Sequence, residues 1–499
     1  MKKEEAVQGF RALMQEINHL TCMEEEMMWD TRVNLPPRGA EYRSELMGYL
    51  SGQKYKLKTS PRMWEYLQEL SQYTFDDVIL NRMQEVARRD YDRLTKIPAG
   101  LEARYAKHGI MTELIWQDAR QNNDYESVKG VLKNSFEFKR EYARCFGCDS
   151  VMDYLLDNWE QGCTTAQVDG IFSDIKGYVL PLLDKIRASG KPYSRQKLQG
   201  FYPREQQLAL IHDVTALVGY NHEAGRIGES AHPFTLRICP RDDMRFTVTI
   251  HETDFTNALI SSLHEGGHAL YGQNLAPELK GTTLAWGTSW GFDEGQARFF
   301  ENFVGRSLPF WKYIFPMAQE RFPLLKNTTA EEFYQNLNAV NCGPLRLYAD
   351  ELTYNLHIIL RYELEKLYYD GKADVDELPE LWNDKYEEYL GYRPKNDAEG
   401  ILQDVHWFSG WIGYYQCYVL ANCYDGHFLH SSMKDIPDFW EKVSRGEFDE
   451  INDWHNRKVR CTGNLYSPVE TLYRFSGETL TAKHYIQYLK DKFEPLYGI

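Results

Sequence analysis

The sequence predicts a mainly α fold carrying one small antiparallel β-sheet, and three observations support that prediction. From the start to about residue 225, long charged segments place apolar residues every three or four positions, broken by short Pro/Gly punctuation. A β-branched, alternating stretch follows at 232–239 and 244–250, its two runs separated by Pro240-Arg241-Asp242-Asp243, a hairpin signature. An amphipathic run at 255–272 then holds Leu263-His264-Glu265-Gly266-Gly267-His268-Ala269-Leu270, an H-E-x-x-H pattern on a predicted helix.

Taken in order, the first helices are punctuated at Leu35-Pro36-Pro37-Arg38-Gly39, Ser60-Pro61, Ile97-Pro98-Ala99-Gly100 and Gly190-Lys191-Pro192. There is no fixed-period repeat and no low-complexity linker. The 499 residues therefore read as a single domain: a helical half over 1–225, a hairpin over 226–254, and helices again over 255–499. Because the hairpin immediately precedes the H-E-x-x-H run, an edge strand there could pair with an extended peptide; the alternative is a purely structural ribbon. A second helix is predicted over 289–301. Beyond it the chain is helical to its end, with stops at Asn341-Cys342-Gly343-Pro344 and Gly391-Tyr392-Arg393-Pro394.

Composition narrows the function classes. Apolar residues make up 43% of the chain, enough for a large core and too many for disorder. Lys and Arg total 57 against 73 Asp and Glu, a formal charge of −16 with no long basic block, so nucleic acid is not an expected partner. No run approaches the length of a membrane span, and the opening Met1-Lys2-Lys3-Glu4-Glu5 lacks the apolar core of a signal peptide; a cytoplasmic protein is expected. Nine scattered cysteines fit reduced thiols, and Cys145-Phe146-Gly147-Cys148, without a second pair, reads as structural.

The chemistry is carried by spacing. Residues four apart on a helix share a face, so His264 and His268 can grip one cation. Glu265, one position along, is poorly placed to share that cation and well placed to take a proton from water beside it. Two successive glycines in a helix interior cost about 1 kcal/mol each relative to alanine, so Gly266 and Gly267 imply close packing or needed room. A third ligand is required. Glu294, on the second predicted helix, completes a His2Glu set with an open fourth position. Asp293 and Glu301 are its rivals, Asp293 as a group orienting a ligand histidine and Glu301 as a solvated helix charge. Such a set takes one divalent metal, zinc first, with cobalt or manganese also accommodated.

Short motifs then fall in a recognisable order. His232-Pro233-Phe234 and Asp243-Met244-Arg245-Phe246-Thr247 precede the H-E-x-x-H pattern; Leu345-Arg346-Leu347-Tyr348-Ala349-Asp350 and Gly400-Ile401-Leu402-Gln403-Asp404-Val405-His406-Trp407 follow it. With Met28-Trp29-Asp30 and Pro36-Pro37-Arg38-Gly39-Ala40 near the start, the chain resembles the carboxypeptidase Taq family of metallocarboxypeptidases over nearly its whole length. One motif departs: where the family has H-E-S-Q, this chain has Asp293-Glu294-Gly295-Gln296, and Leu345 stands where Ile or Val is usual. An aspartate in place of histidine should favour a cation and repel a substrate carboxylate.

The resemblance implies a large helical gluzincin-type metallopeptidase with a deep central cleft and the small β-sheet beside the active site. It implies a carboxypeptidase removing single residues from short unfolded peptides, and a homodimer. His406 and Tyr414 are then candidates to stabilise the developing oxyanion. A free C-terminal carboxylate is best read by an arginine fork, and Arg346 is the choice, with Arg245 as rival. Each arginine has a structural alternative, Arg346 pairing with Asp350 and Arg245 with Asp243 across the hairpin. His232, Gln403 and Asp404 would shape the site. An oligopeptidase cutting internally, or a peptide-binding protein that keeps metal without turnover, are the alternative functions.

Overall fold

In the computed structural model, which describes residues 2–499, the periodicity of the first part becomes long helices. Along Lys3–Val33, Ala6, Phe10, Leu13, Met14 and Ile17 form one apolar face. It buries against Met63, Tyr66, Leu67 and Leu70 of Pro61–Leu70 and against Leu80, Met83 and Ala87 of Val78–Lys96. Ser60-Pro61 both ends one helix and starts the next: Ser60 Oγ accepts from the Met63 N–H, and proline takes a position where its missing N–H costs nothing.

The chain packs into two compact units. One comprises residues up to Thr95, Gln196–Leu337 and Phe428–Thr479; the other comprises Lys96–Arg195, Asn338–His427 and Leu480–Ile499. The changes of pattern at 225 and 254 both fall inside the first unit, because secondary-structure type changes there while the packing partners do not.

The first unit holds the sheet. Strands β1 (Gly225–Glu229), β2 (Thr235–Cys239) and β3 (Asp243–Val248) lie in the order β1-β3-β2, with β1 parallel and β2 antiparallel to β3. The sheet is therefore mixed, where the sequence predicts an antiparallel one. The missed strand, β1, reads Gly-Arg-Ile-Gly-Glu and has no alternation to announce it; pairing with Met244–Val248 draws it in. At the β2–β3 turn Arg241 takes a φ of 81°, and its N–H donates to the Gly272 carbonyl, fastening the turn to the end of the next helix. Met244, Phe246 and Val248 form the inward face of β3.

That next helix, Phe255–Gln273, carries the H-E-x-x-H residues and is capped by Asp254, which accepts from the Thr256 N–H. It is buried along nearly all of its length, so it is a central helix and not the amphipathic one the sequence suggests. A second helix, Trp290–Arg298, starts at Ser289, whose hydroxyl accepts from the Phe292 N–H. It does not run on as α to 301. A π-helical turn covers Phe299–Val304, where Phe299, Phe300 and Phe303 are all buried and the Gly305 N–H reaches back to the Phe300 carbonyl.

The two glycines of the central helix prove different. A Cβ on Gly267 would lie 2.4 Å from the Gln296 carbonyl oxygen and 2.6 Å from Ala297 Cα, so the second helix packs directly on this position. A Cβ on Gly266 would meet nothing within 4 Å.

The second unit is helical. Its Tyr354–Tyr369 helix buries Leu356, Ile358, Ile359, Leu360 and Leu364 and packs against Leu378–Leu390, Val151–Trp159 and Thr165–Ser189. The Cys145–Cys148 stretch is a helix end, with the Cys148 N–H donating to the Ala143 carbonyl and both thiols free. Among the described residues no helix is long and apolar enough to cross a membrane.

Gly267→Ala is expected to lower stability by about 1–3 kcal/mol through overpacking against a backbone that cannot yield. Gly266→Ala should leave stability unchanged or raise it by up to about 1 kcal/mol through better helix propensity. Denaturant unfolding of the two variants side by side checks the contrast.

Candidate active site

The central helix presents His264 and His268 on one face, their rings nearly perpendicular with centroids 5.0 Å apart. Glu294, one turn into the second helix, aims its carboxylate at both. Its Oε1 lies 3.8 Å from His264 Nε2 and its Oε2 lies 3.7 Å from His268 Nε2. One ligand atom from each of the three side chains falls within 4.8 Å of the others. A tetrahedral zinc site with arms of about 2.1 Å has edges of about 3.4 Å, so this donor set fits a divalent cation with little movement.

The opposite edge of each ring is also occupied. Glu301 Oε2 lies 2.9 Å from His264 Nδ1, and Asp293 Oδ1 lies 3.3 Å from His268 Nδ1. Glu301 is thus no solvated helix charge. Burial works against its ionised form, but Arg298, His264 and Arg306 hold its carboxyl down to about 2. Asp293 is likewise lowered against burial, by Arg237 and His268; Arg237 Nη2 donates to Asp293 Oδ1. The negative field of Glu294, Glu301 and Glu265 outweighs burial at His264 and raises that imidazole to about 9. A pocket that would otherwise bind protons this firmly suits a doubly charged cation.

Glu265 is buried beside this cluster. Its Oε2 accepts from the Thr235 hydroxyl at 2.6 Å, which fixes the carboxylate against the first residue of β2. Sequence reasoning passed over both Thr235 and Arg237. Their signal was position: they alternate with Leu236 and Ile238 on a strand next to the H-E-x-x-H helix.

Two other candidates in this unit stand apart from the cluster in their contacts. His232 is exposed, with Nδ1 2.9 Å from the carbonyl of its neighbour Pro233. Arg245 grips Asp243 through Nε and Nη2 at 2.8 and 2.6 Å, and its guanidinium lies over the Trp29 ring. The Asp243 pairing expected as its structural alternative is present, along one strand and not across the hairpin.

Arg346, Asp404, His406 and Tyr414 belong to the second unit. Arg346 sits in the short turn Arg346–Tyr348, so the helical pairing with Asp350 does not form. Asp350 instead accepts from the N–H groups of Asn341, Leu352 and Thr353. Arg346 donates to both oxygens of Asp404 and, through Nη1, to Tyr354 Oη at 3.0 Å. Asp404 also binds Arg361, fully buried, at 2.7 Å, so one carboxylate balances two guanidinium groups and the cluster keeps a net positive charge. His406 packs against Tyr414 and Tyr415, with ring centroids at 5.9 and 4.7 Å. Behind it, buried Glu365 accepts from the Trp407 indole N–H at 2.6 Å and from the Gly413 N–H at 3.1 Å, bracketing the loop that carries His406. Burial pushes this carboxyl up to about 8. Arg361 and Glu365, inside a buried helix, had no motif to mark them.

Comparison with known proteins adds independent evidence. A family model described as carboxypeptidase Taq (M32) metallopeptidase matches residues 9–493. The chain is 36% identical over 495 residues to carboxypeptidase 1 of Bacillus subtilis (strain 168), covering 98% of each. It is 34% identical over 513 residues to thermostable carboxypeptidase 1 of Thermus thermophilus, covering 100% of each. The crystal structure of an M32 carboxypeptidase from Deinococcus radiodurans R1 superposes with a TM-score of 0.96 at 34% identity, over 99% of this chain and 100% of that one.

Replacing Glu294 with Gln should reduce bound metal well below one equivalent, read by elemental analysis after dialysis, with the helical circular dichroism unchanged. Glu365 makes a prediction with a defined sign. Its folded value, about 8, lies above the ordinary 4.5, so the unfolded chain ionises first as pH rises. Wild-type stability therefore falls relative to Glu365→Gln between about pH 4.5 and pH 8 and levels off above. Melting temperatures of both proteins across that range test it.

Proposed function

The chain belongs to the carboxypeptidase Taq (M32) metallopeptidase family and is a metal-dependent carboxypeptidase, and we propose that His264, His268 and Glu294 hold its divalent cation while Glu265 is its base. The observation that carries this reading is the convergence of both Nε2 atoms on the two Glu294 oxygens at 3.7 and 3.8 Å. Zinc is the proposed ion, with cobalt and manganese suited to the same donors. When bound, the cation supplies Lewis acidity and makes water acidic enough to attack near neutral pH.

The side chains supply the rest. Glu265 takes a proton from the attacking water and returns it to the leaving amine, with Thr235 keeping the carboxylate in place between the two transfers. Glu301 and Asp293 hold the imidazoles by their Nδ1 edges so that Nε2 stays available. His406 and Tyr414 are the proposed donors to the developing oxyanion. Arg346 is the proposed reader of the substrate carboxylate. Its cluster with Arg361 and Asp404 carries an uncompensated positive charge, whereas the guanidinium of Arg245 is already spent on Asp243. His232 is left a role in shaping the chain around β2.

β2 is one of the two edge strands of the sheet and begins at Thr235, so an extended peptide pairing there would come beside Glu265. Short unfolded peptides are the proposed substrates. The family model spans segments of both units, which supports one catalytic domain over the whole chain. A cytoplasmic homodimer is the proposed state.

Glu265→Gln should lower kcat about 10²–10⁴-fold while binding a full equivalent of metal. In parallel, a test peptide with an amidated C-terminus should be cut far more slowly than the same peptide with a free one. Equal rates for wild type and variant would refute the assignment of the base, and indifference to amidation would refute carboxylate recognition.

A further inference from the structure

Apart from the metal cluster, the first unit buries one cation in an unusual setting. Arg460, in the turn Arg460–Thr462, is fully buried at 0% exposure. Its Nε donates to Gln296 Oε1 at 3.0 Å, and its Nη1 donates to Oδ1 of Asn452 and of Asn456, both at 3.0 Å. Every one of these acceptors is neutral, and among the described residues no carboxylate pairs with it. The other buried arginines all have an acid: Arg82 has Glu85, Arg346 and Arg361 have Asp404, Arg237 has Asp293, and Arg298 has Glu301.

Among the described residues Arg460 Nη2 has no hydrogen-bond partner, and the same is true of buried Gln296 Nε2 and of both ring nitrogens of buried His455. His455 lies on the helix Asp449–Lys458 with Asn452 and Asn456, and its ring packs on Phe299 at 4.6 Å. The Phe300 ring stands 5.4 Å from the Arg460 guanidinium carbon. Burial and the nearby guanidinium keep His455 well below the usual histidine range, so it is a neutral ring with one N–H to donate. Burial lowers Arg460 only to about 9, which leaves it charged at neutral pH. The result is an excess of donors around a positive charge that no acid among the described residues neutralises. An unpaired buried charge is costly, and an anion is the partner that removes the cost.

We propose that Arg460, with Gln296 Nε2 and the His455 N–H as additional donors, forms a buried binding site for a small monovalent anion, chloride being the chemical class that fits. The full burial of the guanidinium and the aromatic walls favour a compact ion of single charge over phosphate or a peptide carboxylate. Gln296 follows Glu294 by two residues on the same helix, so an ion held here also steadies the helix that carries that carboxylate.

The test uses the full-length, metal-loaded protein. Crystals soaked in bromide should show an anomalous peak within hydrogen-bond reach of Arg460 Nη2. In gluconate buffer at fixed ionic strength, adding chloride should raise the melting temperature saturably, by about 2 °C at saturation, and Arg460→Gln should abolish that rise. If the variant does not fold, the wild-type crystal and titration decide alone. A bromide-soaked crystal with only water at Nη2, a melting temperature indifferent to the exchange of gluconate for chloride, or a rise that Arg460→Gln retains, would each overturn the proposal.

Discussion

The architecture of the first unit depends on how two imidazoles are held from behind. Glu301 and Asp293 each occupy an Nδ1 edge, and this leaves both Nε2 atoms facing Glu294. A ligand histidine without such a partner can rotate and change tautomer; one clasped by a buried carboxylate cannot. All three carboxylates come from one continuous stretch of helix and π-turn, so a single packing contact orders the whole set. Gly267 permits that contact, since any side chain there would push the Gln296 carbonyl away.

The departure at residue 293 is absorbed locally. An aspartate there adds an anion to a pocket already rich in carboxylates, but Arg237 donates to it from β2 and lies near the Tyr271 and Trp286 rings, at 5.5 and 6.0 Å. The added charge is thus answered at its own position and does not reach outward unopposed. Repulsion of a substrate carboxylate, expected from the bare sequence, is correspondingly weakened, because an ion pair projects far less field than a lone charge.

Much of this was legible before any coordinates. The helix beneath the H-E-x-x-H spacing and the change from helical to alternating pattern near residue 230 follow from periodicity, which is local. What escaped detection was non-local or depended on burial. β1 has no pattern of its own and exists because β3 pairs with it. The role of Glu301 depends on a π-turn that widens the helix where three phenylalanines crowd together. Arg361, Glu365 and Arg460 look like ordinary polar residues of helices and turns in the sequence, and only their complete enclosure makes them informative. The Arg346–Asp350 pairing, offered as the structural alternative for that arginine, does not form for a related reason: i, i+4 spacing implies a pair only if the segment is helical, and at 346–350 it is not.

The interleaving of the two units bears on synthesis as well as shape. Each is assembled from three stretches far apart along the chain, the first closing only with Phe428–Thr479 and the second only with Leu480–Ile499. As the polypeptide leaves the ribosome, the first core waits for Phe428–Thr479 and the second for Leu480–Ile499. The apolar face of Lys3–Val33 meets most of its partners within the first hundred residues, but Leu279 and Leu284, which complete the same cluster, follow some two hundred residues later.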